Sequence, residues 1–290
     1  MMTPAKSEEL LALSAAQARR LAPQLCRRDP VSGQDCSWYH GLWQDLRLIG
    51  LAASLDQQSD FLRHAFGRLS RRPLRLLISG SADYSILAHV LSASSEHQLT
   101  PDITVVDVCE TPLFFNRWYA EQAGYKIETI QADIFNHHFE TQFDIIVSHG
   151  FLSQFQPAQR AGILRRWADL LTPDGTVLSI NRVRSGLSGG ETKFSEKQGR
   201  EFCETVAEKL GQMPSLEESD RAVIRARAGI YVQRLNGYAL TEEELDSLFH
   251  HAGLQIDECK IISSGAQDAK FNGPAIPANA RHACVIASRM

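Results

Sequence analysis

Two carboxylates, a glycine turn and a histidine carry the chemistry that this sequence offers. Asp107 closes the β-branched run Ile103-Thr104-Val105-Val106, and Asp133 follows Gln131-Ala132 after a second extended run, Lys126 to Ile130. Upstream, the apolar run Leu74-Arg75-Leu76-Leu77-Ile78 stops at the small residues Ser79, Gly80, Ser81 and Ala82, and helix-compatible residues follow from Ser85. A buried strand that turns sharply into a helix aims backbone N–H groups and the positive end of the helix dipole at whatever lies above it. That suits a nucleotide or its analogue. An acid at the end of the next strand can accept both hydroxyls of a ribose, and one after the third strand can accept from an adenine amine. Both acids also suit helix capping or turn formation. His149, preceded by Ser148, ends the run Phe143 to Val147, and Asn181 and Arg182 follow the run Thr176 to Ile180.

These residues act together only if strand ends lie side by side. From Leu74 onward, short apolar runs alternate with helical segments (Leu113 to Gln122, Pro157 to Leu171), which predicts a parallel sheet with helices on both faces. Ligands in such sheets sit beyond the carboxyl ends of the strands, near the reversal of strand order. The expected fold is α/β, a Rossmann-like seven-stranded sheet, mostly parallel with an antiparallel last strand. Residues 1–70 read as three helices forming an N-terminal lid over a domain spanning 71–290. Two further helices fall in an insertion at about 184–237, opened by a loop with Gly186, Gly189 and Gly190. Thr241-Glu242-Glu243-Glu244 predicts a capping box, and a loop with Pro274 and Pro277 joins the last two strands.

The net charge of −4 leaves no excess of cations to neutralise phosphates, which argues against nucleic acid as a partner. No apolar run is long enough to span a membrane and no secretory leader pattern is visible, so a reducing cytoplasm is the expectation. Cys26, Cys36, Cys109, Cys203, Cys259 and Cys284 are widely spread, with no C-x-x-C pair and no Cys/His ligand spacing, so no metal is expected.

The order of these motifs resembles that of class I S-adenosylmethionine-dependent methyltransferases from about Pro73 to the C-terminus. Leu76 to Asp83 is similar to the glycine motif, Val105-Val106-Asp107 to the ribose acid and Gln131 to Phe135 to the adenine edge. Phe143 to Ser148 resembles the fourth strand and Leu170 to Leu178 the approach to the fifth. The first motif departs from the pattern: Ser79 stands for the usual acid and Ser81 for a glycine. The resemblance implies S-adenosylmethionine as cofactor, held by Ser79, Gly80, Ser81, Asp107, Val108, Asp133, Ile134 and Ser148. Trp38, Tyr39, His40 and Trp43 cluster within six positions, where aromatic faces could attract a sulfonium by cation–π contact. Trp43 could equally be packing. Arg47, one turn beyond Trp43, could hold the carboxylate of the cofactor. The expected catalytic residues are His149 as a proton acceptor, with Tyr39, His40 and Asn181 beside it; Asp83 and Glu110 are weaker candidates.

The leading function is methyl transfer to a small-molecule acceptor of natural-product type. A rival on the same fold is cyclisation of S-adenosylmethionine to azetidine-2-carboxylate with release of methylthioadenosine. Loss of the acid at Ser79 would favour that rival by removing a charge that keeps the amine protonated. A third reading is a degenerate binding subunit, against which Asp107 and Asp133 weigh. The sequence leaves the oligomeric state open.

Overall fold

The computed structural model describes residues 10–28, 33–52, 55–69, 73–184, 190–263 and 281–290. The glycines at 186 and 189, the prolines at 274 and 277, and the residues before Leu10 lie outside this set.

Five parallel strands follow the expected order of apolar runs: β1 (Arg75–Ser79), β2 (Asp102–Asp107), β3 (Glu128–Gln131), β4 (Phe143–His149) and β5 (Leu171–Val183). Two short strands, β6 (Glu191–Lys193) and β7 (Asn236–Tyr238), form a separate ribbon. The main sheet is completed by β8 (Leu254–Ser263) and β9 (Arg281–Arg289) in the order β3-β2-β1-β4-β5-β9-β8. Only β9 runs antiparallel, between β5 and β8. The sheet is therefore seven-stranded and Rossmann-like, with its antiparallel strand last in the chain as expected. The order reverses between β1 and β4, so the ends of those strands, with β2, are where a ligand belongs.

The strand β5 begins earlier than its apolar run. Phe143 pairs with Leu171 but Ile145 already pairs with Thr176, so Thr172-Pro173-Asp174-Gly175 bulges out of the ladder. These four residues, of types that favour turns, thus lie inside the strand as a bulge.

The described helices are α1 (Leu11–Leu25), α2 (Ser37–Leu48), α3 (Ser59–Gly67), α4 (Ser85–Glu96), α5 (Glu110–Ala123), α6 (Pro157–Leu170), α7 (Glu196–Gly211), α8 (Glu218–Arg234) and α9 (Glu242–His251). Alternation along the strands divides the core. Leu76, Ile78 and Val105 point to the face covered by Phe61 and Phe66 of α3, Leu87 of α4 and Tyr119 of α5. Leu77, Val106 and Ile146 meet Trp167 of α6 and Phe249 of α9 on the other. A third core lies outside the sheet: Leu42 and Leu46 of α2 pack on Phe202 and Val206 of α7 and on Ile224 and Tyr231 of α8.

Buried charges hold this third layer to α1. Arg19 pairs with Asp45 of α2 and, at 2.9 Å, with Asp220 of α8. Arg227 of α8 donates to the Gly41 and Arg19 carbonyls, each at 2.7 Å, and a methyl at Gly41 would fall 2.7 Å from its guanidinium. The ribbon is anchored from beneath by Arg160 of α6, which donates to the Tyr238 and Ala239 carbonyls at 2.8 and 2.9 Å. Among the described residues no helix is long and apolar enough to cross a membrane.

Candidate active site

Strand β1 ends in the turn that the sequence singled out. Gly80 has φ +75° and donates to the Val106 carbonyl at 3.0 Å, which ties the turn to β2. A Cβ built there would lie 2.5 Å from the Phe151 ring and would also demand the left-handed region that side chains avoid. Gly80→Ala is therefore expected to displace Phe151 and lower stability by about 1–3 kcal/mol. Chemical denaturation checks this, and a variant of wild-type stability would contradict it.

Above the turn lies a cavity of about 610 Å³, in the ordinary range for small-molecule sites. Its floor includes Gly80, Ser81, Asp107 and Val108, one side carries Asp133, Ile134 and Phe135, and Tyr39 and His40 come from α2. Asp107 sits where β2 ends. Its carboxylate accepts the Ser81 N–H at 3.0 Å and the Cys109 N–H at 2.8 Å, one on each oxygen, which fixes the plane of the group while leaving lone pairs for a diol. Burial raises its pKa, against a lowering by His40 and the two N–H groups. Asp133 also lines the cavity, yet its oxygens accept from Phe135 N–H at 3.0 Å and Asn136 Nδ2 at 2.9 Å, so it shapes its own turn. Val108 is 60% exposed at the cavity and Ile134 is buried beside it.

Five expected residues do not line this cavity: Ser79, Ser148, Asn181, Trp43 and Arg47. Ser79 is fully buried, and its hydroxyl accepts the Trp167 indole N–H at 3.0 Å, because alternation along β1 turns it toward α6. Its identity therefore does not set the charge in the cavity. The Ser148 hydroxyl donates to the Ser79 carbonyl at 3.0 Å and is likewise enclosed. Asn181 is buried and works on a loop: its Oδ1 accepts Leu152 N–H at 3.1 Å while its Nδ2 donates to Ser179 at 2.7 Å. That role is positional.

Beside the main cavity, Trp43, Arg47, Asp83 and His149 line a small hollow against Gly80. The carboxylate that Arg47 meets is that of Asp83, at 2.6 Å, with both side chains nearly devoid of solvent contact. Asp83 also accepts the Ser85 N–H at 2.7 Å, which opens α4. Tyr39 stacks on Trp43 at 5.4 Å and on Tyr231 at 6.3 Å, joining α2 to α8. Burial holds the Tyr39 phenol well above its ordinary pKa, so it remains protonated.

His149 lines both spaces, and its Nε2 is buried without a hydrogen-bond partner. Burial, together with the charges of His282, His89 and Arg47, pushes its pKa down to about 3, and burial pushes that of His282 down to about 4. His149 is thus a neutral and weakly basic ring, suited to hydrogen bonding rather than to storing a proton. In the unfolded chain both imidazoles titrate near about 6.5. The unfolded state takes up protons first, so stability is full above that pH and declines as pH falls toward the folded values. A melting temperature that drops between about pH 6.5 and 5 is expected, with a shallower drop in His282→Gln. An unchanged profile in the variant would contradict this.

His40 is buried and lies against sulfur. Burial lowers its pKa, but hydrogen bonds with Cys109 and Cys36 outweigh that and lift it to about 10. It is therefore not a free base facing an acceptor. Several wall residues escaped the sequence reading: Phe151, Phe155, Gln154 and Asn236. Phe151 follows directly on the β4 end, a position that signals it; Asn236 comes from the far side of the insertion, which no local pattern marks.

A family model described as a methyltransferase domain matches residues 88–175. The 1,6-didemethyltoxoflavin-N1-methyltransferase of Burkholderia thailandensis, solved with 1,6-didemethyltoxoflavin and S-adenosylhomocysteine, superposes with a TM-score of 0.54 at 19% identity, covering 88% of this chain and 84% of that one. The mitomycin 7-O-methyltransferase superposes with a TM-score of 0.50 at 15% identity, covering 97% of this chain and 67% of that one. The PH0226 protein of Pyrococcus horikoshii superposes with a TM-score of 0.50 at 13% identity, covering 81% and 90%. No curated protein matches the sequence. The fold is that of the class I S-adenosylmethionine-dependent methyltransferases, and the chain is an enzyme of that fold.

Proposed function

We propose that this chain transfers a methyl group to a small-molecule acceptor seated in the cavity under α2. S-Adenosylmethionine is the cosubstrate. The observation that carries the reading is Asp107, clamped by two backbone N–H groups at the mouth of a turn whose glycine admits no side chain. The neighbouring residues fit the same ligand: Val108 offers an exposed apolar surface, Ile134 backs it, and Ser81 lies one residue past Gly80. When bound, the cofactor supplies an electrophilic methyl carbon, which an acceptor lone pair attacks as the carbon–sulfur bond breaks and its electrons stay on sulfur. The protein positions the two partners and excludes water. Trp38 and Tyr39 bring aromatic rings to the cavity wall, suited to the sulfonium, and His149 offers its Nε2 as a hydrogen-bond partner. His149, a weakly basic neutral ring, is suited to hydrogen-bonding the acceptor rather than to storing its proton.

A second reading, cyclisation of the cosubstrate to azetidine-2-carboxylate, rests on the aromatic wall that Trp38 and Tyr39 give the cavity, which suits a methionine tail folded back on itself. Ser79 no longer supports it, since that hydroxyl faces Trp167. Mass spectrometry after incubation with S-adenosylmethionine separates the two. Methyl transfer predicts S-adenosylhomocysteine and a methylated product only when a panel of hydroxylated and nitrogen-heterocyclic small molecules is added. Methylthioadenosine from the cosubstrate alone would overturn methyl transfer as the main activity.

A further inference from the structure

Three cysteines far apart in the chain converge beside Asp107. The Sγ of Cys36 lies 3.5 Å from that of Cys109, and Cys109 lies 3.6 Å from Cys26. All three sulfurs fall within 4.8 Å of one another. The His40 ring lies against Cys36 and Cys109, outside the group of three sulfurs, and its Nδ1 is buried with no hydrogen-bond partner. The four side chains come from three places. Cys26 ends α1, Cys36 and His40 lie one turn apart on the same face of α2, and Cys109 precedes α5.

We propose that Cys26, Cys36, His40 and Cys109 form a structural zinc site that staples the N-terminal helices to the β2–α5 loop. Tetrahedral zinc bonds of about 2.3 Å to thiolates set neighbouring sulfurs about 3.8 Å apart, close to the spacings found here. Three sulfurs and one imidazole complete a closed tetrahedral set with no open position for catalysis. The surroundings fit metal rather than disulfide chemistry. Thr111 places its hydroxyl 3.1 Å from Cys26 Sγ, where it can donate to a thiolate and orient it. Three converging sulfurs also outnumber what one disulfide can use, and the remaining thiol would stay buried. Binding Zn²⁺ displaces three thiol protons to solvent, one each from Cys26, Cys36 and Cys109. The product carries three thiolates and a neutral imidazole around a dication, a net charge of −1 for the site.

The site matters for its neighbour. The Cys109 N–H is one of the two that clamp Asp107, so a metal on the Cys109 sulfur fixes the loop that aims this carboxylate. The spread of cysteines along the sequence, which argued against a metal, conceals this cluster because Cys109 arrives from the far side of β1 and β2.

The test uses the full chain, produced in zinc-supplemented medium and purified without chelators or a metal-affinity tag. Elemental analysis is expected to find about one zinc per chain. Exchange into Co²⁺ is expected to give the thiolate charge-transfer and tetrahedral ligand-field bands in the visible spectrum. Cys36→Ser should lose the equivalent of metal, Cys259→Ser on the exposed β8 should keep it, and His40→Cys should keep it with a shifted cobalt spectrum. If the single-cysteine variants fail to fold, the wild-type metal content and cobalt spectrum decide alone. Wild-type protein that holds no zinc and gives no tetrahedral cobalt bands would overturn the proposal, as would iron in place of zinc or a Cys36–Cys109 disulfide in protein prepared anaerobically. None of these readouts depends on methyl transfer.

Discussion

Arg47→Ala is expected to lower stability by about 3–5 kcal/mol, the range for stranding one member of a buried ion pair. The pair joins α2 to the turn after β1, and its side chains are 3% and 2% exposed, so water cannot take over the role of either partner. Asp83 would be left with the Ser85 N–H at 2.7 Å against a buried charge. Asp83→Ala is expected to cost a similar amount, because the Arg47 guanidinium, 5.8 Å from the Tyr84 ring centroid, loses its buried carboxylate. The informative comparison is the double replacement Arg47→Met with Asp83→Leu. Removing both charges also removes the desolvation burden, so the double variant should recover most of the loss. Denaturant titration of wild type, Arg47→Met, Asp83→Leu and the double variant gives the coupling directly. An Arg47→Ala protein within about 1 kcal/mol of wild type would show that the pair is solvated.

Asp107→Ala is expected to weaken S-adenosylmethionine binding by about 10- to 150-fold, corresponding to the loss of charge-assisted hydrogen bonds worth about 1.5–3 kcal/mol. The effect has two origins. The carboxylate that would receive the ribose hydroxyls is gone, and the Ser81 and Cys109 N–H groups lose their acceptor, which frees the turn and the loop. Asp107→Asn separates the two. The amide oxygen can keep one N–H partner, so the loop should hold better than in the alanine variant while the affinity still falls. Calorimetric titration with S-adenosylmethionine measures both, and wild-type affinity in Asp107→Ala would remove the basis of the site.

The strands and the order of the parallel half of the sheet were legible because β-branched runs ending in small or acidic residues mark buried strands and their carboxyl ends. Asp107 and Gly80 belong to this class: each is defined by what immediately precedes it. Side-chain direction at a strand end was not legible. Ser79, Ser148 and Asn181 stand at the right height but face α6 or an adjacent loop, and a single-residue difference in the alternation decides this. Long-range partners were hidden for another reason. Arg47 reads as a cation seeking a ligand until folding brings Asp83 to it from 36 residues away, and Arg160 meets the Tyr238 carbonyl only because β7, 78 residues on, closes over it. The ribbon of β6 and β7 is too short to leave a periodic signal, since each strand has three residues.

The core shared by α2, α7 and α8 has a kinetic consequence. Leu42 and Leu46 are fully buried against Phe202, Val206 and Ile224, so α2 cannot lift alone without exposing a dry apolar seam. Any opening that admits a ligand past Tyr39 must carry the inserted helices with it as one cooperative unit. Amide hydrogen exchange would then report a single protection level for the buried amides of all three helices, distinct from that of β1 and β4, and ligand binding would slow all three together.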